Sequence, residues 1–257
     1  MTEWISDPTS LRTALSTRDH AGLGFVPTMG ALHAGHESLL SRAVAENQTT
    51  VMSAFVNPAQ FDDPNDYQQY PTDLKRDFNI AHALGVDFFF APSDPSLLYP
   101  DHYTYQVVEN EQSLLMEGAM RPGHFTGMLT IVLKLLLLIR PQRLYLGKKD
   151  YQQLALIRGM AAAFFLDVEI IGCPTIRDAQ GLALSSRHAR LNPTEKAQAY
   201  RFAQHFKTCE KSEALQHALE NEKIQIEYIH EKDNRRYIAV KIGGIRLIDN
   251  KEITPCS

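Results

Sequence analysis

Two histidines three residues apart, His33 and His36, flank Gly35 in "FVPTMGALHAGHESLL", and this pairing raises the first chemical question. An apolar strand ends at Pro27, Thr28, Met29 and Gly30, and a helix begins near Gly35. The backbone N–H groups and positive dipole end of that helix would then face one spot, which favours phosphate. Imidazoles beside it could donate hydrogen bonds to phosphoryl oxygens as charge builds in a transition state. The plainer alternative is that one histidine caps the helix and the other packs on a sheet. A shared metal is disfavoured, because neither H-E-x-x-H nor H-x-x-E-H is present.

Further along, "FVNPAQF" breaks a second strand at Asn57 and Pro58 and puts Gln60 on a loop, where its amide could hold a carboxylate or hydroxyl. "MRPGHFTGML" sets Arg121 and His124 ahead of an apolar helix, with Gly123 supplying backbone freedom and His124 a possible cap. "YLGKKDYQQLALIR" repeats the strand, glycine, helix grammar of the first stretch. In it Gly147 permits close approach of a ligand and Lys149 offers a cation to phosphate. Asp150 could N-cap the helix or accept from a ribose hydroxyl, and Gln153 lies one turn inside. "GLALSSRHARL" gathers Ser185, Ser186 and Arg187 into a small anion clamp, or into an ordinary turn with a surface arginine. Asp77 could place a magnesium ion through water, or be a solvated helix carboxylate.

These groups need a scaffold. Short apolar runs, "GLGFVP", "TTVMSAFVN", "VDFFFA", "RLYLG" and "VEIIGCP", alternate with helical periodicity over 35–47, 72–84, 124–140 and 150–165. That alternation specifies a Rossmann-like, doubly wound parallel α/β sheet, whose ligands collect at the carboxyl ends of the strands. Beyond Pro174 the pattern changes to one long charged helix from 193 to about 220, then to β-like runs "KIQIEYIH", "RYIAVKI" and "IRLID". The expected division is 1–175 for the large domain and 176–257 for a smaller α+β lid.

Bulk properties exclude several classes. The net charge of −4 supplies no positive field for nucleic acid. Cys173, Cys209 and Cys256 lack C-x-x-C spacing, which argues against a disulfide framework or zinc site and fits a reducing cytoplasm. The N-terminus does not read as a secretion signal. "MLTIVLKLLLLI" is too short for a bilayer span, so a buried helix is expected and no membrane partner.

The ordered set "PTMGALHAGH", "FVNPAQF", "RPGHF", "KDYQQLALIR", "GLALSSR" and "RLIDN" closely resembles the pantoate–β-alanine ligases, members of the H-x-G-H nucleotidyl-transferring superfamily. The resemblance implies a two-step reaction. Pantoate and ATP give pantoyl adenylate and pyrophosphate, and β-alanine then displaces AMP. ATP would be the co-substrate, Mg2+ its ion, and a homodimer the assembly. By the same resemblance His33 and His36 would meet phosphate, with His36 foremost in transition-state stabilisation, beside Lys149, Ser185, Ser186 and Arg187. ATP contacts would also come from Met29, Gly30, Gly147, Asp150, Ile176 and Leu184. Pantoate would lie against Pro27, Met29, Gln60 and Gln153, β-alanine near Arg121 and Tyr70, and magnesium near Asp77.

The chain departs from the family pattern in four places. Lys148 replaces a glutamate, His188 replaces an asparagine, "YPTD" lacks an arginine, and "EYIHEKDNRRYIAVKI" stands where a longer connection is expected, shortening the C-terminal domain. Two other functions compete: a nucleotidyltransferase of the same fold, and an attenuated nucleotide-binding protein.

Overall fold

The structure, a computed structural model, describes residues 1–254; Cys256 lies outside them. The chain divides into two compact units, one made of Met1–Lys148 and Gln152–Cys173, the other of Lys149–Tyr151 and the chain from Pro174 on.

The first unit is a six-stranded, wholly parallel sheet. Its strands are β1 (Glu3–Ile5), β2 (Leu23–Thr28), β3 (Thr49–Ala54), β4 (Phe88–Phe90), β5 (Arg143–Gly147) and β6 (Glu169–Cys173), in the spatial order β1-β4-β3-β2-β5-β6. The helices between them are α1 (Pro8–Leu15), α2 (Ala34–Glu46), α3 (Pro64–Gln68), α4 (Leu74–Ala83), α5 (Glu117–Met120), α6 (His124–Ile139) and α7 (Tyr151–Ala163). Strands covered on both faces need near-continuous apolar runs, and β3 is buried at every position. Val26, Met52, Phe89 and Tyr145 from four neighbouring strands share one core with Leu39 and Leu40 of α2. The chain winds outward from β2 to β3 and β4, yet β5 pairs with β2 on its other side, Gly24 opposite Arg143. The winding therefore reverses between β2 and β5, and a crevice opens at their carboxyl ends. "PTMGALHAGH" leaves from one of those ends and "GKKDYQQ" from the other.

The expected run "MLTIVLKLLLLI" lies in α6, most of whose residues are buried. Arg140 ends α6 in the left-handed region at φ 54°, just before Pro141. No helix among the described residues is long and apolar enough to cross a membrane.

The second unit holds α8 (Pro193–Thr208), α9 (Ser212–Asn221) and an antiparallel sheet of β7 (Gln225–Lys232), β8 (Arg235–Ile242) and β9 (Ile245–Glu252). Both hairpins turn on two residues with positive φ, Asp233–Asn234 and Gly243–Gly244, the type I′ geometry that matches strand twist. "EYIHEKDNRRYIAVKI" is thus a tight hairpin of β7 and β8. Phe202 and Phe206 of α8, with Leu215 and Leu219 of α9, bury against Ile238, Val240 and Leu247 of this sheet.

The single long helix expected from 193 to about 220 is in fact two. Cys209 turns to an extended conformation, and the carbonyls freed at the break are taken up by the buried Arg236, with Lys251 Nζ also donating to the Cys209 oxygen at 3.0 Å. Arg236 donates to the Cys209 oxygen at 2.9 Å and the Glu210 oxygen at 2.6 Å, while its Nε reaches Glu231 Oε1 at 2.7 Å. Helical periodicity cannot register such a bond from a strand 27 residues onward. Replacing Arg236 by Met should therefore destabilise the fold by about 2 kcal/mol, since the Glu210 carbonyl loses its donor, while Lys251 still serves the Cys209 carbonyl and Ser212 still serves Glu231. Urea unfolding checks this; a loss under 1 kcal/mol would deny Arg236 the role.

Candidate active site

The residues after β2 form a turn that an unaided chain would resist. Gly30 and Ala31 adopt consecutive left-handed φ values of 80° and 51°. Such a conformation costs an alanine free energy unless the surroundings impose it. The constraint comes from α4. Asp77 is wholly buried, and its Oδ2 accepts from the Ala31 N–H and its Oδ1 from the Leu32 N–H, each at 2.8 Å. Arg76 beside it donates to the Leu32 carbonyl at 2.9 Å. At the other end, Thr28 Oγ1 accepts from the Gly30 N–H at 3.0 Å and donates to the Ser53 carbonyl at 2.7 Å. A side chain at position 30 would press on Asp77, at 2.9 Å from Oδ2, so glycine is required there on two counts.

Asp77 is accordingly not a solvated helix carboxylate, since both of its oxygens serve the backbone of this turn. Burial raises its pKa above the ordinary carboxylate value, and the two backbone N–H bonds pull against that rise. Among the described residues no group of three or more His, Cys, Asp or Glu could hold a metal ion.

The turn delivers His33 to the start of α2 as its N-cap, and the ring folds back so that Nδ1 accepts from the Gly35 N–H at 3.1 Å. An amide N–H can only donate, so Nδ1 carries no proton and Nε2 is the ring's N–H donor. The capping alternative holds for His33, and it orients the proton that a phosphate would meet. His36 stacks on it with centroids 4.1 Å apart. Gly35 has a specific task here, because a Cβ at that position would lie 2.8 Å from His33 Cε1.

A second cluster surrounds Gln60. This residue is buried, 8% exposed, rather than a loop side chain in water. Asn57 donates from Nδ2 to Gln60 Oε1 at 3.0 Å and to the Gly127 carbonyl at 3.1 Å, which turns the Gln60 amide N–H groups towards Met29 Sδ at 3.0 Å. A thioether is a weak acceptor, so an organic oxygen would readily replace it. Gly127 lets α6 press on this loop: a Cβ there would sit 2.0 Å from the Ala59 carbonyl oxygen.

Arg121 and His124 complete the support. Arg121 pairs with Asp62 at 3.1 Å and contacts the Gln60 carbonyl at 3.3 Å and His124 Nε2 at 3.2 Å. A guanidinium can only donate, so Nε2 of His124 accepts and its Nδ1–H donates to the Gln60 carbonyl at 2.8 Å. His124 is therefore not a cap; Gly123 holds that position with φ 83°. Tyr70 is buried edge-on against Phe61 in the same loop region. Arg121 and Tyr70 thus brace the Gln60 loop, a role that the spacing of the motifs did not disclose.

Around β5 the expectations change in detail. Gln153 is half-buried on the first turn of α7, whereas its neighbour Gln152 does the fastening. Gln152 donates to the Gln112 and Leu115 carbonyls at 2.8 and 2.9 Å and accepts from the Glu117 N–H at 3.2 Å. Only its buried, satisfied amide identifies it, and two adjacent glutamines gave no sequence cue to which was which. Asp150 is exposed and does not N-cap α7, because Lys148–Asp150 forms a 3-10 turn running straight into that helix; its carboxylate lies 4.0 Å from Lys149 Nζ.

In the second unit, Ser185 caps the 3-10 turn Ser186–Arg190 by accepting from the Arg187 N–H at 3.3 Å. Ser185, Ser186 and Arg187 are therefore consecutive members of one turn. Ile176 and Leu184 are joined by a backbone bond of 3.0 Å that closes the loop ahead of it.

The family model for pantoate-beta-alanine ligase matches residues 3–252. The chain belongs to the pantoate–β-alanine ligase family. It is 50% identical over 250 residues to pantothenate synthetase of Legionella pneumophila strain Lens, covering 97% of this chain and 96% of that one. It is 48% identical over 248 residues to the Coxiella burnetii RSA 493 pantothenate synthetase, covering 96% and 95%. Among solved structures, the Francisella tularensis pantoate-beta-alanine ligase, complexed with Beta-gamma ATP and beta-alanine, superposes with TM-score 0.93 at 40% identity over 98% of both chains. The pantothenate synthetase of Thermus thermophilus gives 0.89 at 39% identity over 99% of this chain and all of that one. Against these ligases the chain is not short, so the expected loss of C-terminal length does not distinguish it from them.

The His33 cap yields a direct test. Gly35→Ala suits the helix and leaves stability within about 1 kcal/mol. By displacing the His33 ring it should lower kcat on the order of a hundredfold, as a misplaced catalytic group does. Steady-state rates beside thermal melts check this; a fully active Gly35→Ala protein would separate the ring's fold-back from catalysis.

Proposed function

We propose that this ligase joins pantoate to β-alanine in the cytoplasm, with ATP as the energy source and Mg2+ carried on its phosphates. The observation that carries the reading is the braced turn after β2, which presents the histidine ring edge at a helix N-terminus. A bare carboxylate lacks a leaving group for amide formation, and adenylation supplies one. In the first step a pantoate carboxylate oxygen bonds to the α-phosphorus, the bond from that phosphorus to the bridging oxygen breaks, and pyrophosphate departs. In the second, the β-alanine amine attacks the acyl carbon, AMP leaves with its oxygen, and the amine loses a proton.

The substrates bring both nucleophiles, so the protein's contribution is positioning and charge stabilisation. His33 and His36 donate to phosphoryl oxygens as the α-phosphorus becomes five-coordinate, with His36 bearing most of that load. Gln60 offers N–H donors to pantoate beside Met29 and Pro27, and Gln153 supplies a second amide. Lys149, Ser185, Ser186 and Arg187 neutralise the β- and γ-phosphates, while Gly147, Asp150, Ile176 and Leu184 accommodate ribose and adenine. Arg121 and Tyr70 reach β-alanine only through the loop they brace. Lys149, Ser185, Ser186 and Arg187 all lie in the smaller unit, which is read as a lid. Two copies of the chain form the working dimer.

Incubation with Mg2+, ATP, pantoate and β-alanine should release AMP and pyrophosphate in equal amounts with pantothenate, and omission of pantoate should stop both. A product that retains AMP without β-alanine would identify nucleotidyl transfer instead. ATP binding with no turnover would identify a binding protein.

A further inference from the structure

The motif "RLIDN" has no part in the chemistry above, yet its last two residues are buried polar side chains of the smaller unit. Asn250 lies on β9 opposite Tyr237 and is 6% exposed. Its Nδ2 donates to the Lys149 carbonyl at 2.8 Å, and its Oδ1 accepts from Arg235 Nη1 at 2.7 Å. The amide cannot be reversed, because the guanidinium has no acceptor and the carbonyl no donor. Arg235 in turn lies 3.8 Å over the Tyr151 ring, with its other nitrogen on Glu252 Oε1 at 2.6 Å. The three-residue corner Lys149–Tyr151 is thereby fastened at its first residue by Asn250 and at its last by Arg235.

The adjacent residue performs the same task on another segment. Asp249 receives two bonds from Arg177, at 2.6 and 2.8 Å, and Arg177 also donates to the Gly181 carbonyl at 3.0 Å. Those bonds close the loop that delivers Ser185, Ser186 and Arg187. Neighbouring side chains of one strand therefore brace both cationic segments.

We propose that Asn250 is a positioning residue for Lys149, setting the peptide from which that ammonium reaches the ATP phosphates. The inference rests on the ligase reading for the identity of the bound group. The bond holds the Lys149 carbonyl at 2.8 Å, and so the backbone at the root of the four-carbon stem that carries Nζ. The stem is flexible, and a fixed root limits the volume the ammonium explores.

Asn250→Asp separates the two bonds of this amide. A carboxylate keeps its acceptor towards Arg235 but turns a second oxygen on the Lys149 carbonyl, which repels it. Mg·ATP affinity, measured by calorimetry on the full chain, should fall about tenfold, the loss expected for one such hydrogen bond. In pantoate-dependent pyrophosphate exchange the KM for ATP should rise to match, with the KM for pantoate within about twofold of wild type. In a Lys149→Met background the same substitution should have no further effect on ATP affinity. A purely structural role would instead lower kcat and melting temperature with the ATP affinity unmoved, or would add fully to Lys149→Met, and either result overturns the proposal. If the aspartate variant does not fold by circular dichroism, Asn250→Ser, which introduces no charge, is held to the same criteria. Absence of exchange in the wild type would count against the ligase reading, while the calorimetric comparison would still decide the role of Asn250.

Discussion

A single buried carboxylate holds the histidine loop in shape. Asp77 sits on α4 with no exposed surface, and removing such a group from water is costly unless hydrogen bonds replace the hydration. It finds them in the N–H groups of Ala31 and Leu32, on a stretch of backbone that twists through two left-handed residues. Each half of the arrangement makes the other tolerable. The left-handed turn aims two N–H groups into the core, and the carboxylate compensates both that burial and the strain. The histidines downstream inherit the result: His33 arrives at the α2 N-terminus with its ring turned back over Gly35, and His36 stacks upon it.

The same device recurs. Gln60 is aimed by Asn57 and held from beneath by His124 and Arg121, and Lys149 is rooted by Asn250. In each case a residue suited to touching substrate is oriented by a neighbour that is not. Most of these bonds admit only one direction of donation, so the protonation state and the amide orientation of the contacting group are dictated by the support. For a reaction whose nucleophiles come from the substrates, this rigidity is the larger part of what a protein can contribute.

Much of this was legible in the sequence. The parallel sheet showed in the apolar runs and the strands of the small sheet in three β-like runs, but the tight turn at Asp233–Asn234 did not, and its segment read as a shortened connection. The edge strand β1 was too short to show a period, although Asp7 and Pro8 carry a recognisable start signal for α1. The histidines, the Gln60 loop and the serine–arginine turn were found because glycine, proline and polar residues cluster visibly where strands end. Their supports were not. Asp77 looked like any carboxylate on an amphipathic helix, Gln152 like its neighbour Gln153, and Arg236 like a strand arginine. Each acquires meaning only from a contact dozens of residues away, which no local pattern encodes.

The central claim is that the histidine loop is set before any ligand arrives, and the protonation pattern of His33 reports on this most directly. Long-range 15N–1H spectra of the ligand-free protein near neutral pH, with the His33 signals assigned by their loss in a His33→Gln variant, resolve the two ring nitrogens. The account predicts an unprotonated Nδ1 and a protonated Nε2, unchanged when Mg·ATP is added. A protonated Nδ1, or a ring averaging between tautomers until nucleotide binds, would contradict it.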